Sequence, residues 1–242
     1  MLGIVPRELV TTPRADRDCR SCKSDRVPDP SAMRRSYEQT GVEAADLGPD
    51  PVVAFDTWFA AAVEAGVVEP NAMVLATVDA EGAPAARTVL LKGYDAAGLR
   101  FFTNLDSAKG RDLAARPRAA LVFPWHAMSR QVRVTGPVQR LSDVEVEAYF
   151  GSRPRGSQLG AWASRQSQPV ASRADLDAAV AEAEARFPAG GPVPVPPDWG
   201  GFLLRPETWE FWAGRVGRLH DRLAYRRTAA AEAGWAVTRL AP

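Results

Sequence analysis

The chain has 242 residues, of which 46% are hydrophobic, and a formal net charge of +1. That is enough for one large domain or two small ones, and too little basic excess for a nonspecific grip on nucleic acid or an anionic membrane. No apolar run approaches the roughly 18 residues that span a bilayer, and the opening stretch from Met1 to Pro6 is too short for the core of a secretory signal, so a cytoplasmic protein is expected.

Residues 1–32 are rich in Pro, Arg, Asp and Ser and lack periodicity, the pattern of a disordered leader. Cys19 and Cys22 form a lone C-x-x-C there. A structural zinc site takes about four ligands, and without a second pair no metal site is expected. Patterned sequence begins just after Met33, a plausible alternative start, so one folded domain is expected over 33–242. Phe55, Trp58, Phe59 and Val63 recur at helical spacing and predict an amphipathic helix from Pro51 to Gly66. The period then changes. Strands are predicted over 73–78, 87–94 and 99–103, joined by turn residues. A short helix over 107–116 and strands over 119–125 and 130–140 follow.

Ser142 with Glu145 makes a capping-box pattern for a helix that runs to about Phe150. Another helix is predicted from Ser172 to near Phe187, then a Pro/Gly loop to Pro197. Closing strands are expected over 199–205, 208–212, 223–227 and 235–240. The sum is a mainly β domain with flanking helices, of α+β type and consistent with a small barrel.

No hydrolytic constellation, zinc helix, phosphate-binding P-loop or nucleophile elbow is present, and His126 and His220 are the only histidines. Instead, basic and hydroxyl residues cluster at strand ends and helix starts, where phosphates are held. Lysine is rare: Lys23, Lys92 and Lys109 are the only three.

The first cluster joins Arg87 and Lys92 to Ser107 and Lys109. Arg87 and Lys92 would point to opposite faces of one strand unless it bends, and an exposed basic strand beside a capped surface helix would read the same way. The second cluster is Tyr149, Arg153, Arg155 and Ser157, either a phosphate cradle or a polar exit from a helix into a loop. In the third, an extended segment would put Arg218, His220 and Arg222 on one face. Three such side chains repel unless an anion sits there or Asp221 and other acids pair with them.

These residues, in this order, resemble the pyridoxine 5'-phosphate oxidase family. The resemblance runs from about Met33 to Pro242. It rests on stretches such as Pro70-Asn-Ala-Met73, Arg87 to Lys92, Phe123-Pro-Trp-His126, Ser152-Arg-Pro-Arg155, Gly160-Ala-Trp162, Trp199-Gly-Gly201 and Arg218-Leu-His-Asp-Arg222. It implies an FMN-binding split β-barrel and a homodimer with FMN at the interface. It also implies oxidation of pyridoxine or pyridoxamine 5'-phosphate to pyridoxal 5'-phosphate, with oxygen reduced to hydrogen peroxide.

By position, the resemblance implies FMN contacts at Arg87, Thr88, Val89, Leu90, Leu91, Lys92, Phe102, Thr103, Lys109, Gln131, Gln166, Ser167, Trp212 and Arg222. Lys92, Tyr149, Arg153 and Ser157 would cradle the substrate phosphate. Arg218 and His220 would lie at the pyridine ring as the catalytic pair, and Arg34 and Tyr37 would belong to a segment that closes over substrate. The bulky apolar residues between Trp199 and Trp212 fit a buried dimer interface.

Two positions depart from the family pattern. Ala108 stands where many members have arginine, a loss of about 1.5–3 kcal/mol in FMN binding if nothing replaces it. Phe102 stands where many have tyrosine. A related flavin oxidase of another aromatic substrate, of the phenazine-biosynthesis type, is the alternative reading, and a non-catalytic binder of flavin or pyridoxal phosphate is a third. The joint presence of Lys92, Tyr149, Arg153 and Ser157 argues against the former, and that of Arg218 and His220 against the latter.

Overall fold

Inward and outward residues alternate along Ala72–Val78, with Met73, Leu75 and Thr77 buried, and this pattern builds the first strand, β1. The computed structural model describes Pro30, Met33, Tyr37 and residues 41–242. Arg34 and the Cys19–Cys22 pair lie outside the described residues.

β1 pairs antiparallel with β2 (Pro84–Leu90) on one side and with β5 (Arg118–Trp125) on the other. Beyond β5 comes β6 (Arg130–Arg140), whose first half, from Arg130 to Thr135, pairs with β8 (Thr208–Ala213). Its last residues, Val138 to Arg140, pair instead with β7 (Trp199–Leu204). The change of partner falls at Gly136, where a Cβ would stand 1.9 Å from the Arg205 carbonyl oxygen, so only glycine lets the two chains approach. β7 continues to β4 (Gly98–Asn104) and β4 to the short β3 (Gly93–Asp95). On the other flank β8 pairs with β9 (Asp221–Arg227), and β9 with β10 (Trp235–Arg239). The result is a curled antiparallel sheet of ten strands, a split barrel.

Among the described residues six α-helices accompany it: α1 (Ala44–Leu47), α2 (Pro51–Glu64), α3 (Ala108–Ala115), α4 (Asp143–Ser152), α5 (Arg155–Ala163) and α6 (Arg173–Arg186). The Asp50 side chain caps α2 by accepting from the Val52 N–H at 2.8 Å, and Pro51 sits at the first helical position, where its missing N–H costs nothing. α2 buries Phe55 completely against Phe123, Trp209 and Tyr94, with ring centroids 4.9, 5.4 and 4.9 Å away. A second, smaller core under α4, α5 and α6 is built from Leu141, Val146, Phe150, Leu159 and Trp199. No helix of the described residues is long and apolar enough to cross a membrane.

Three expectations are corrected. The strand predicted over 87–94 is interrupted: β2 ends at Leu90, and the chain re-enters a strand only at Gly93. The Leu91 N–H still donates to the Asn71 carbonyl, in register with the β1–β2 ladder, but the Lys92 N–H donates to the Arg100 carbonyl of β4, so the chain turns from β1 toward β4 between the two residues. The polar stretch after α4 is a helix, α5, not a loop exit. Finally, Trp199, Phe202, Leu203, Leu204, Trp209 and Phe211 are buried within the chain itself. They form its own core and are not an exposed apolar surface awaiting a partner.

Candidate active site

The break after β2 brings Arg87 and Lys92 to the same place. Both line a cleft of about 590 Å³ with Thr88, Val89 and Leu90 of β2, Phe102 and Thr103 of β4, Lys109, Tyr149, Arg153, Ser157, Gln166 and Trp199. Ser107 starts one wall by capping α3: its Oγ accepts from the Gly110 N–H at 3.3 Å and donates to the Asn104 carbonyl at 2.6 Å. A Cβ on Gly110 would meet the Leu105 carbonyl oxygen at 2.0 Å, so glycine lets the helix start lie tight against β4.

Lys109, in the first turn of α3, is 9% exposed. Its Nζ donates to Gln166 Oε1 at 2.9 Å and Thr103 Oγ1 at 3.2 Å, both neutral acceptors. Burial, and next the Arg87 guanidinium, push its pKa below that of a free lysine, while Asp112 works in the opposite direction. Arg87 is fixed by Thr77 Oγ1 at 2.5 Å and by Asp112 Oδ2 at 3.3 Å, and Asp112 in turn accepts from Thr77 at 2.6 Å. Two cations with one carboxylate between them leave positive charge for a ligand.

The opposite wall carries Arg153, at the end of α4. Its guanidinium lies over the rings of Trp199 and Phe150, 4.9 and 5.4 Å from their centroids. Nη1 is buried with no hydrogen-bond partner, and no carboxylate lies within ion-pair distance among the described residues. Burial lowers its pKa and nearby Tyr149 raises it. An unpaired buried donor is costly in a finished core and fits a site that awaits an anion. Tyr149, stacked 3.9 Å from Phe102, and Ser157 of α5 complete this end of the cleft. Phe102 thus presents a ring face to Tyr149 rather than a hydroxyl.

The remaining predicted residues gather elsewhere. Gln131, Trp212 and Arg222 are direct neighbours across β6, β8 and β9. Their chain neighbours Val132, Phe211 and Leu223 are buried in the barrel, so this row faces outward. Arg222 makes a two-pronged contact with Glu210, Nε to Oε1 at 3.0 Å and Nη2 to Oε2 at 3.0 Å, which raises its pKa. His220 packs 4.7 Å from Trp212, and Tyr37 meets both rings edge-on at 5.4 and 5.9 Å. Gly214 makes room for Tyr37, since a Cβ there would be 2.8 Å from its ring.

The extended segment expected from Arg218 to Arg222 is corrected. Val216–Arg218 is a single helical turn, and Arg218 has φ +64°, so the three side chains do not share a strand face. Asp221 pairs with none of them. It accepts from the Val42 N–H at 3.0 Å and pairs with Arg215 at 3.2 Å and with Arg239.

None of Tyr37, Gln131, Trp212, Arg218, His220 and Arg222 lines the cleft that holds Lys109 and Arg153. Leu91 points into the barrel core, 5% exposed. Ser167, at φ +70°, lies in an adjoining groove of about 720 Å³ between the 163–170 loop and α6. Sequence reasoning gave no role to Glu210 or Asp112, read Asp221 only as a possible partner of Arg218, His220 and Arg222, and read Trp199 only as part of a matched Trp-Gly-Gly stretch and of an apolar interface. The acids carried little local signal because their partners lie on other elements. Among the described residues, no group of three or more His, Cys, Asp or Glu is placed to hold a metal ion.

The structure is thus a split barrel with a cationic, hydroxyl-lined cleft and a separate aromatic–arginine cluster. Residues 59–187 match the family described as pyridoxamine 5'-phosphate oxidase, and 199–242 match the pyridoxine 5'-phosphate oxidase C-terminal dimerisation region. The chain belongs to the pyridoxine/pyridoxamine 5'-phosphate oxidase family. It is 56% identical over 217 residues to the pyridoxine/pyridoxamine 5'-phosphate oxidase of Thermobifida fusca, covering 88% of this chain and 98% of that one. It is 53% identical over 239 residues to that of Frankia alni, covering 98% and 96%. Among solved structures it is similar to PhzG from Burkholderia lata 383, in complex with tetrahydrophenazine-1-carboxylic acid, at 31% identity and TM-score 0.78, covering 86% of this chain and 100% of that one. A pyridoxamine 5'-phosphate oxidase-related, FMN binding protein from Nostoc punctiforme shares the fold at 21% identity and TM-score 0.63, with 81% and 100% covered.

Proposed function

We propose that this protein is an FMN-dependent pyridoxine/pyridoxamine 5'-phosphate oxidase, active as a cytoplasmic homodimer. The observation that carries the reading is Arg153, whose buried Nη1 lacks a partner in a cleft shared with Lys92, Tyr149 and Ser157. These four groups supply two cations and two hydroxyls to one phosphate.

The other end of the cleft fits FMN. Lys109, with neutral partners only, and Arg87 would hold its phosphate together with Thr103 and Gln166. Thr88 to Leu90, on the edge strand, would lie along the flavin. When bound, FMN supplies a two-electron acceptor that oxygen restores with release of hydrogen peroxide. The chain's own work is placement: Arg153 and Lys92 fix the substrate by a phosphate that does not react, so that the exocyclic carbon bearing the alcohol or amine is presented in a reactive geometry. Arg218 and His220 would orient the ring and stabilise charge near its phenolic oxygen.

The two clusters do not share a cleft on one chain, and each holds part of the residue set that the family resemblance brings to one site. A second copy would deliver Gln131, Trp212, Arg218, His220 and Arg222 to the cleft of the first. The C-terminal dimerisation match supports a dimer, and that match spans four of these five residues.

The likeness to PhzG favours a second reading, a flavin oxidase of an unphosphorylated tricyclic acid. Oxygen uptake by the FMN-loaded protein separates the readings. Pyridoxamine 5'-phosphate should be consumed with hydrogen peroxide release. Uptake with tetrahydrophenazine-1-carboxylic acid alone would favour the second reading, and uptake with neither would leave a non-catalytic binder.

A further inference from the structure

Trp199 opens β7 opposite Asn104 of β4 and is 8% exposed. Its indole plane is nearly parallel to the rings of Phe102 (9°, centroids 5.5 Å apart) and Tyr149 (7°, 6.0 Å). The Phe150 ring meets it at 69° with centroids 4.9 Å apart, and its backbone N–H is tied to the Pro196 carbonyl at 3.0 Å. The indole is therefore held by β7, by α4 and by the loop that precedes it. On this surface rests the Arg153 guanidinium, 4.9 Å from the ring centroid.

Arg130, beside Gln131, likewise lies over a tryptophan ring, 4.6 Å from the Trp58 centroid, but four other arginines near the two clusters are fixed differently. Arg87 is held by Asp112, Arg222 by Glu210, and Arg215 and Arg239 by Asp221. A carboxylate fixes a guanidinium through a two-pronged contact but cancels its charge and occupies its N–H groups. An aromatic face fixes the same plane through the ring quadrupole and leaves both the charge and the edge donors free. Only the second arrangement suits a residue that must be rigid before the ligand arrives and fully charged toward it. The buried, unpartnered Nη1 of Arg153 is the donor left over.

We propose that Trp199 is a positioning residue that sets the preference for the phosphorylated over the unphosphorylated form of the substrate, by holding Arg153 in place without neutralising it. The proposal rests on the reading of this cleft as the cradle of the substrate phosphate.

The test uses the FMN-loaded protein and four variants: Trp199→Leu, Trp199→Met, Trp199→Phe and Arg153→Ala. The dissociation constants of pyridoxal 5'-phosphate and pyridoxal are read from the flavin absorbance, alongside KM and kcat for pyridoxamine 5'-phosphate. Trp199→Leu should weaken pyridoxal 5'-phosphate by about 10-fold, in the range of a lost desolvated cation–π contact, and pyridoxal by less than about twofold. KM should rise with kcat nearly unchanged, and Trp199→Phe, which keeps a ring, should restore most of the preference. Trp199→Met fills space without a ring and replaces the leucine variant if that one fails to retain FMN. An equal loss for both ligands would mark Trp199 as merely structural and overturn the proposal, as would an unchanged preference. If Arg153→Ala also leaves the preference intact, the phosphate cradle itself is wrong. If Arg153→Ala abolishes it and the ring-less variants keep it, only the role of Trp199 falls.

Discussion

The backbone N–H of Arg215 donates to Nδ1 of His220 at 3.1 Å. A neutral His220 therefore carries its proton on Nε2, and that nitrogen is its donor toward any ligand. The neighbouring Arg218 sits at φ +64°, a backbone conformation that costs a non-glycine residue about 1 kcal/mol or more and is kept where the surroundings impose it. The turn thus presents one fixed donor and one strained cation side by side.

Arg218→Leu should lower kcat/KM by about 10²-fold, as when a positioned electrostatic group is lost. FMN content should stay near normal because Arg222 and Trp212 remain. His220→Asn should cost less, since the amide keeps a donor. Steady-state kinetics with flavin absorbance as the occupancy check decides this, and loss of FMN in Arg218→Leu would move that residue to the cofactor site.

Arg153 and Arg218 lie in separate clusters of one chain, so a composite site makes a prediction about mixed dimers. Arg153→Ala alone should raise KM more than it lowers kcat. Co-expressed with Arg218→Leu chains, it should give a preparation in which about a quarter of the sites are intact, because half the dimers are mixed and each mixed dimer has one wild-type site. Activity no greater than the average of the two parent variants would show that each chain builds its own site.

With Lys109 at the FMN phosphate as proposed, its lowered pKa should make FMN binding sensitive to alkaline pH. The ammonium is charged below its folded pKa and neutral above it, so FMN affinity should start to fall at a pH below the ordinary lysine range of about 10.4. Lys109→Met should weaken FMN by about 1.5–3 kcal/mol at neutral pH and flatten that limb of the profile. Fluorimetric titration of the apoprotein measures both, and an unchanged alkaline limb in Lys109→Met would rule out Lys109 as its source.

Asp221 joins the entry segment to the closing strands. Burial alone would raise its pKa, but the Val42 N–H, Arg239 and Arg215 overcome this and hold it below the usual carboxylate range. A carboxyl with a depressed folded pKa stabilises the fold above its unfolded pKa, and the contribution is lost as pH falls through the folded value. Asp221→Asn should therefore cost about 1.5–3 kcal/mol at pH 7, a difference that narrows below about pH 4. Denaturant unfolding at the two pH values tests this, and a cost that does not change with pH would assign the effect to packing.

Much of the fold was legible because hydrophobic period and caps are local. The Ser142–Glu145 capping box forms as read, with the Ser142 N–H donating to Glu145 at 3.0 Å, and β6 runs over Arg130–Arg140 as predicted. The break after Leu91 was not legible, because Arg100, the partner that draws the Lys92 N–H away from the β1 ladder, lies on another element. α5 was hidden by its polar start, Arg155-Gly-Ser157, after Pro154. The cations that could meet a phosphate were visible as residue types. Which are already paired with a carboxylate, as Arg222 is with Glu210, and which are not, as Arg153 is not, depends on contacts between distant segments that no local pattern encodes.

Substrate held by its phosphate should deliver two electrons to a flavin bound by this protein. Anaerobic mixing of the FMN-loaded protein with pyridoxamine 5'-phosphate, followed at the flavin absorbance, tests it most directly. Complete bleaching is expected, with one pyridoxal 5'-phosphate formed per flavin, and much slower bleaching in Arg218→Leu. A flavin that stays oxidised in the wild-type protein while pyridoxamine 5'-phosphate is bound would contradict it.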